Sequence, residues 1–137
     1  MVRVEMIRRR LNKLDEYLAI LYALRRYSFE EFTTEPERYG SAERFLQLTI
    51  EALSDIGNHL VADLDLGTVD SYSDIPYLLC EADYIDVDRR EQWVRMIGFR
   101  NILVHDYLDV DRKRVYDILQ KNLDDIKALR ELFAQFI

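Results

Sequence analysis

From Val4 the apolar side chains recur at Ile7, Leu11, Leu14, Leu18 and Leu21, alternating three and four residues apart. That spacing is the seam of a helix packed nearly parallel or antiparallel to a neighbour, and it predicts a first bundle helix within residues 4–32. Thr33, Thr34, Pro36 and Gly40 mark a break, with room for a short helical turn over Pro36–Tyr39. Ser41 is positioned to cap a second helix running to about Leu66. This helix carries two apolar stripes, Phe45–Leu48–Ala52–Ile56 and Leu46–Ile50–Leu53–Leu60–Leu64. A helix apolar on two sides is buried on two sides, so it lies centrally or faces both its own core and another subunit.

Gly67 through Asp74 reads as a polar connector. A short helix follows over Ile75–Ala82, with Pro76 tolerated in its first turn. Asp88 and Glu91 have capping-box spacing and predict the start of a fourth helix whose apolar side is Trp93, Val94, Met96 and Ile97. A final helix starts near Asp111, its stripe running through Val115, Ile118, Ile126, Leu129, Phe133 and Phe136 with Asn122 in line. Ile102-Leu103-Val104 is too short to argue for a strand. The expected fold is all-α: an up-and-down bundle of four to five helices in a single domain, 1–137.

Composition supports that class. With 137 residues, 49% of them hydrophobic and 33% charged, the chain can bury a real core. Four glycines and two prolines favour long helices over a turn-rich β-fold. The lone Cys80 excludes an internal disulfide and fits a cytoplasmic location. The N-terminus is interrupted by charge, and no apolar run is long enough to span a bilayer, so no membrane association is expected.

A net charge of −7 argues against a protein that grips nucleic acid over its whole surface. The charge is uneven, however. Eight acidic residues and no lysine or arginine fall between Gly57 and Asp88, after which Arg89, Arg90, Arg95 and Arg100 follow. Arg3, Arg8, Arg9, Arg10 and Lys13 crowd the N-terminal stretch. These runs are either solvated helix faces or a local basic pocket on an acidic body.

The candidate chemistry lies in residues 100–107, Arg-Asn-Ile-Leu-Val-His-Asp-Tyr. Arg100 is a permanent cation able to fork onto a phosphate, and His105 is suited to moving a proton near neutral pH. Asn101 is placed to position a phosphate or the histidine. On a regular helix, residues five apart lie roughly 140° apart around the axis. Arg100 and His105 therefore converge only if the helix ends or distorts near Val104, if the arginine wraps around, or if two copies meet across a dimer. The plain alternative is that both side chains simply favour a helix C-terminus, with Asp106 pairing either one. Asp55 and His59, four apart, share one helix face and read either as a polar contact in the bundle or as supporting groups. With only two histidines and no ligand cluster of metal-site spacing, no metal site and no cofactor are expected.

Arg100-x4-His105-x-Tyr107 resembles the signature of HEPN-domain proteins, specifically the HepT-like ribonuclease toxins of prokaryotic toxin–antitoxin pairs. Glu43-Arg44, Ile50-Glu51 and Asp55-Ile-Gly-Asn-His59 are similar to that family's second helix. Met96 through Tyr107 is similar to its active-site segment. The likeness covers roughly residues 5–130. It implies an all-α homodimer with a composite cleft, and metal-independent cleavage of RNA by Arg100 and His105 through attack of the 2′-OH. It also implies a cognate antitoxin, a minimal nucleotidyltransferase that moves AMP from ATP onto Tyr107, as in type VII toxin–antitoxin systems. An alternative within the same family is a non-catalytic module that binds nucleotide and docks a nucleotidyltransferase.

Overall fold

The computed structural model describes residues 2–137, in which seven α-helices and one 3-10 turn occur and no strand is found. The helices are α1 (Val4–Leu24), α2 (Phe29–Thr34), α3 (Pro36–Asp63), α4 (Asp74–Glu81), α5 (Val87–His105), α6 (Arg112–Lys121) and α7 (Leu123–Ala134). The 3-10 turn is Tyr107–Asp109. The all-α class stands as expected. The number of helices exceeds the four to five read from the sequence, because two of the expected helices are each broken in two.

The first break has a local cause. α1 stops at Leu24, and after a turn Ser28 opens α2 with a full capping box: its hydroxyl accepts from Glu31 N–H, and the Glu31 carboxylate accepts from Ser28 N–H. The second lies at Asn122, which ends α6 and begins α7. Its side chain donates to Asp125 at 3.2 Å. Asn122 therefore interrupts the stripe in which it stands.

Two expected starts also move. α3 begins at Pro36 and runs unbroken through Gly40 and Ser41, so Ser41 is no cap. Proline at the first helical position lacks only an N–H that would have gone unpaired there. α5 is capped by Asp86, which accepts from Arg89 N–H at 2.8 Å, and not by an Asp88–Glu91 box. Glu91 pairs with Arg90 at 2.9 Å instead.

Residue pairs fix the topology. Arg3–Asp63, Arg10–Asp55 and Tyr17–Phe45 run α1 antiparallel to α3. Asp15–Arg130 and Tyr22–Asp124 run α1 antiparallel to α7. Glu51–Arg100 sets α5 antiparallel to α3, and Trp93 stacks against Gly57 in the same register. The seam residues Ile7, Leu11, Leu14, Leu18 and Leu21 are all buried, as their spacing predicts. α3 packs against every other α-helix. That central position satisfies most of both its apolar stripes within one chain, including the fully buried Leu46, Leu53, Ile56 and Leu60. A second subunit is not needed to explain them.

Gly57 is where the fold is tightest. A Cβ there would stand 2.6 Å from the Trp93 ring and 2.7 Å from Ile75. Glycine lets α3 admit the buried Trp93 and Ile75, and so sets how closely α5 approaches.

Candidate active site

α5 continues as regular helix through His105, its last residue. Asp106 leaves helical geometry, though its N–H still bonds to Ile102 O at 2.9 Å, and the chain tightens into the turn Tyr107–Asp109. The helix does end beside the histidine, but too late to bend it towards Arg100. The two remain about 140° apart around the axis and about 7.5 Å apart along it. Of the three routes to convergence, a distortion before Val104 is closed.

Arg100 turns inward, to α3. Its Nε and Nη2 donate to one oxygen of Glu51, Oε1, at 3.0 and 2.8 Å. Gln47 Nε2 donates to the same oxygen at 3.1 Å. Arg100 Nη1 donates to Asn101 Oδ1 at 3.2 Å, so Asn101 supports the arginine and not the histidine. The guanidinium also lies 5.6 Å from the centre of the Tyr72 ring. The pair is only part exposed, which strengthens it relative to a solvated one. Sequence reading does not assign Glu51 or Tyr72 to the site. They lie 49 and 28 residues from Arg100, and no periodicity links them to it. Glu51 is nonetheless visible in the Ile50-Glu51 segment of the family resemblance.

His105 is exposed on the opposite face and has no hydrogen-bond or ion-pair partner among the described residues. Tyr107 is 66% exposed and Leu108 84%, so this turn projects into solvent. Val94, Gly98, Asn101 and His105 follow four-three-four spacing along one side of α5. A Cβ on Gly98 would meet nothing within 4 Å, leaving that side of the helix open.

Asp55 and His59 belong to a different cluster. Asp55 accepts from Arg10 Nε across the α1–α3 seam, and His59 Nε2 lies 3.8 Å from Asp55 Oδ1. Arg3 Nη2 is 3.0 Å from His59 Nδ1. Arginine can only donate, so Nδ1 accepts in this contact. Arg3 also bonds Asp63, and this holds the Asp63 carboxyl below its usual range. His59 stands eight residues beyond Glu51, about 12 Å along α3. The sequence offers Asp55 and His59 either as a polar contact in the bundle or as supporting groups; their contacts with Arg10 and Arg3 brace α1 against α3, apart from Arg100.

Of the two readings of the basic runs, the ion pairs favour solvated helix faces over a shared basic pocket. Arg3, Arg8, Arg10, Lys13, Arg90 and Arg100 each meet a carboxylate, and Arg89 approaches Asp125 at 3.8 Å. Among the described residues no group of three or more His, Cys, Asp or Glu side chains is arranged to hold a metal, and no helix is long and apolar enough to cross a membrane.

Residues 7–132 match the model of a family described as ribonuclease HepT-like. The mRNA nuclease HepT of Shewanella oneidensis is 35% identical over 92 residues, covering 67% of this chain and 64% of that protein. The tRNA nuclease HepT of Aphanizomenon flos-aquae is 30% identical over 112 residues, covering 80% of this chain and 75% of that one. The first alignment thus spans just under two thirds of its relative. Among solved structures, a tri-AMPylated Shewanella oneidensis HEPN toxin in complex with MNT antitoxin superposes with a TM-score of 0.87 at 24% identity. That match covers 94% of this chain and 96% of the other. A cytosolic Bacillus subtilis protein, YutE, gives 0.85 at 18% identity, covering 98% and 90%. These superpositions establish the shared helical fold, and the family match covers nearly the whole length: the chain belongs to the ribonuclease HepT-like family.

Proposed function

We propose that this chain is the ribonuclease toxin of a toxin–antitoxin pair and cleaves RNA without a metal ion. The carrying observation is the state of the two motif residues. Arg100 is a part-buried cation held in one orientation by Glu51, while His105 is exposed and unpartnered at the end of the same helix. A fixed cation suits charge building on phosphoryl oxygens, and an exposed imidazole suits proton transfer. In the reaction, His105 takes the ribose 2′-OH proton and O2′ attacks phosphorus. The P–O2′ bond forms, the P–O5′ bond breaks, and O5′ leaves with a proton. The products are a 2′,3′-cyclic phosphate and a 5′-hydroxyl.

One chain does not turn both groups to one phosphate, since they diverge by about 140°. A homodimer through the open side of α5 supplies the missing geometry. Gly98 permits close helix approach there, and His105 stands at its end. In such a dimer the second His105 can protonate O5′ while the first takes the 2′ proton. The whole of 1–137 acts as one helical domain in the cytoplasm and needs no cofactor.

Control falls to Tyr107. Its exposed hydroxyl attacks the α-phosphorus of ATP on a cognate nucleotidyltransferase antitoxin; a Tyr–O–P bond forms, pyrophosphate leaves and the phenolic proton is lost. The AMP places an anion and a base two residues from His105 and blocks the cleft. Support comes from the Shewanella fold relative, described as AMPylated and bound to an antitoxin.

The test is cleavage of cellular RNA by purified protein in EDTA, with the cyclic phosphate end mapped. Arg100→Ala and His105→Ala should each abolish it. Variants as active as wild type would sink the reading. An inert protein that still binds a nucleotidyltransferase through Arg100 would indicate the docking module instead, a reading favoured by the neutralisation of Arg100 by Glu51.

A further inference from the structure

A cavity of about 220 Å³ lies between α3, α5, α6 and α7, on the flank of α5 away from both the Glu51-held edge of Arg100 and the exposed His105 side. Its walls are apolar, with Ile50, Met96 and Ile118 prominent. Its rim carries two arginines, Arg95 and Arg114, neither of which meets a carboxylate among the described residues. Arg114 is steadied over the Phe99 ring at 4.8 Å. Two guanidinium groups without a carboxylate partner thus flank one apolar cavity, and such a pair can fork onto an anionic partner.

The polar atoms at the rim narrow the ligand further. Gln92 Oε1 accepts from Arg89 at 2.7 Å, which leaves its NH2 free to donate. Asn122 donates to Asp125 at 3.2 Å, which leaves its carbonyl free to accept. The Asp125 carboxylate also borders the cavity but is occupied by Asn122 and lies 3.8 Å from Arg89. One free donor and one free acceptor beside apolar walls match the edge of a nucleobase. Size agrees: an apolar cavity of about 150 Å³ takes benzene, so this one takes a base ring and not a whole nucleotide.

We infer that the cavity is a nucleotide subsite, with the base inserted between α3 and α6 and the attached phosphate held outside by Arg95 and Arg114. The nucleotide is either free or one unit of an RNA strand. As a strand subsite the inference rests on the nuclease reading; as a free-nucleotide site it stands alone. In the strand case it would bias which base lies near the cut.

The experiment titrates full-length His105→Ala protein with AMP, GMP, CMP, UMP, inorganic phosphate and a short oligoribonucleotide, following the Met96 and Ile118 methyl signals by NMR. One or more monophosphates should bind more tightly than phosphate and shift both methyls. The double charge reversal Arg95→Glu/Arg114→Glu should weaken binding by about tenfold or more, the loss expected when charge-assisted contacts to phosphate are removed. Ile118→Trp, which fills the cavity, should abolish it. An oligonucleotide binding tighter than any monophosphate marks a strand subsite; equal affinity marks a free-nucleotide site. No methyl shift with any monophosphate, or binding indifferent to the charge reversal, overturns the inference. Both charge-reversed residues are solvent-facing, so that result does not depend on Ile118→Trp folding. RNA cleavage is assayed separately, so loss of this subsite and loss of the nuclease reading give different results.

Discussion

Glu51 and Arg100, 49 residues apart, meet through two hydrogen bonds onto a single carboxylate oxygen, at 3.0 and 2.8 Å. The contact fixes the plane of the guanidinium and sets a carboxylate against its charge. Glu51 is therefore a positioning residue for Arg100, and removing it should separate orientation from attraction. Glu51→Gln should lower kcat for RNA cleavage by about tenfold, equivalent to losing roughly 1.4 kcal/mol of transition-state stabilisation. KM should stay level or fall, because a less neutralised Arg100 attracts phosphate more strongly. Steady-state kinetics on a defined oligoribonucleotide decides it, and an unchanged kcat would remove Glu51 from the mechanism.

Gly57 should tolerate no side chain. The added methyl of Gly57→Ala would drive into Trp93 and Ile75, both fully buried. Overpacking of this kind costs about 1–3 kcal/mol, and more where the neighbours have no room to shift. Thermal or denaturant unfolding should show the loss. Gly98→Ala is the control, since its methyl meets nothing within the chain and alanine is the better helix former. In dilute monomer Gly98→Ala should hold or raise stability; if α5 forms the proposed dimer, the same change should weaken association.

Glu43 gives a pH signature. Burial on α3 pushes its carboxyl above the usual range, with Arg112 partly opposing the shift. A raised carboxylate binds its proton more tightly in the folded than in the unfolded chain. Stability is therefore lost as pH rises from the ordinary Glu value through the raised folded value, and the cost persists at neutral pH. Glu43→Gln should raise the melting temperature at pH 7, and the difference should close as pH falls below the ordinary Glu range. A gain that does not depend on pH would place the effect in packing.

Tyr107→Phe should separate control from folding. The ring is 66% exposed and its hydroxyl has no partner among the described residues, so stability should move by less than about 0.5 kcal/mol. Co-expression with the cognate nucleotidyltransferase should then leave the variant's tryptic peptide spanning this position without an AMP mass, while the wild-type peptide gains one. An AMP mass on the Tyr107→Phe protein would move the modification site elsewhere.

Local and periodic features were legible in the chain alone. The seam from Ile7 to Leu21, the short helix with Pro76 in its first turn and the start of α6 at Asp111 follow from side-chain spacing and capping chemistry within one or two turns. The Arg100–His105–Tyr107 motif was legible for the same reason. The breaks at Ser28 and Asn122 were also written locally, the first as a Ser-x-x-Glu box, but the surrounding apolar rhythm masked them. Which charges meet was settled by packing in three dimensions. It turned Arg100 to Glu51, bound Asp55 and His59 to the α1 arginine Arg10 and to Arg3 beside it, left Arg95 and Arg114 unpaired beside a cavity, and gave α3 its central place. Periodicity reports which face of a helix is buried, but not what that face meets, because the partner is set by packing between segments many residues apart.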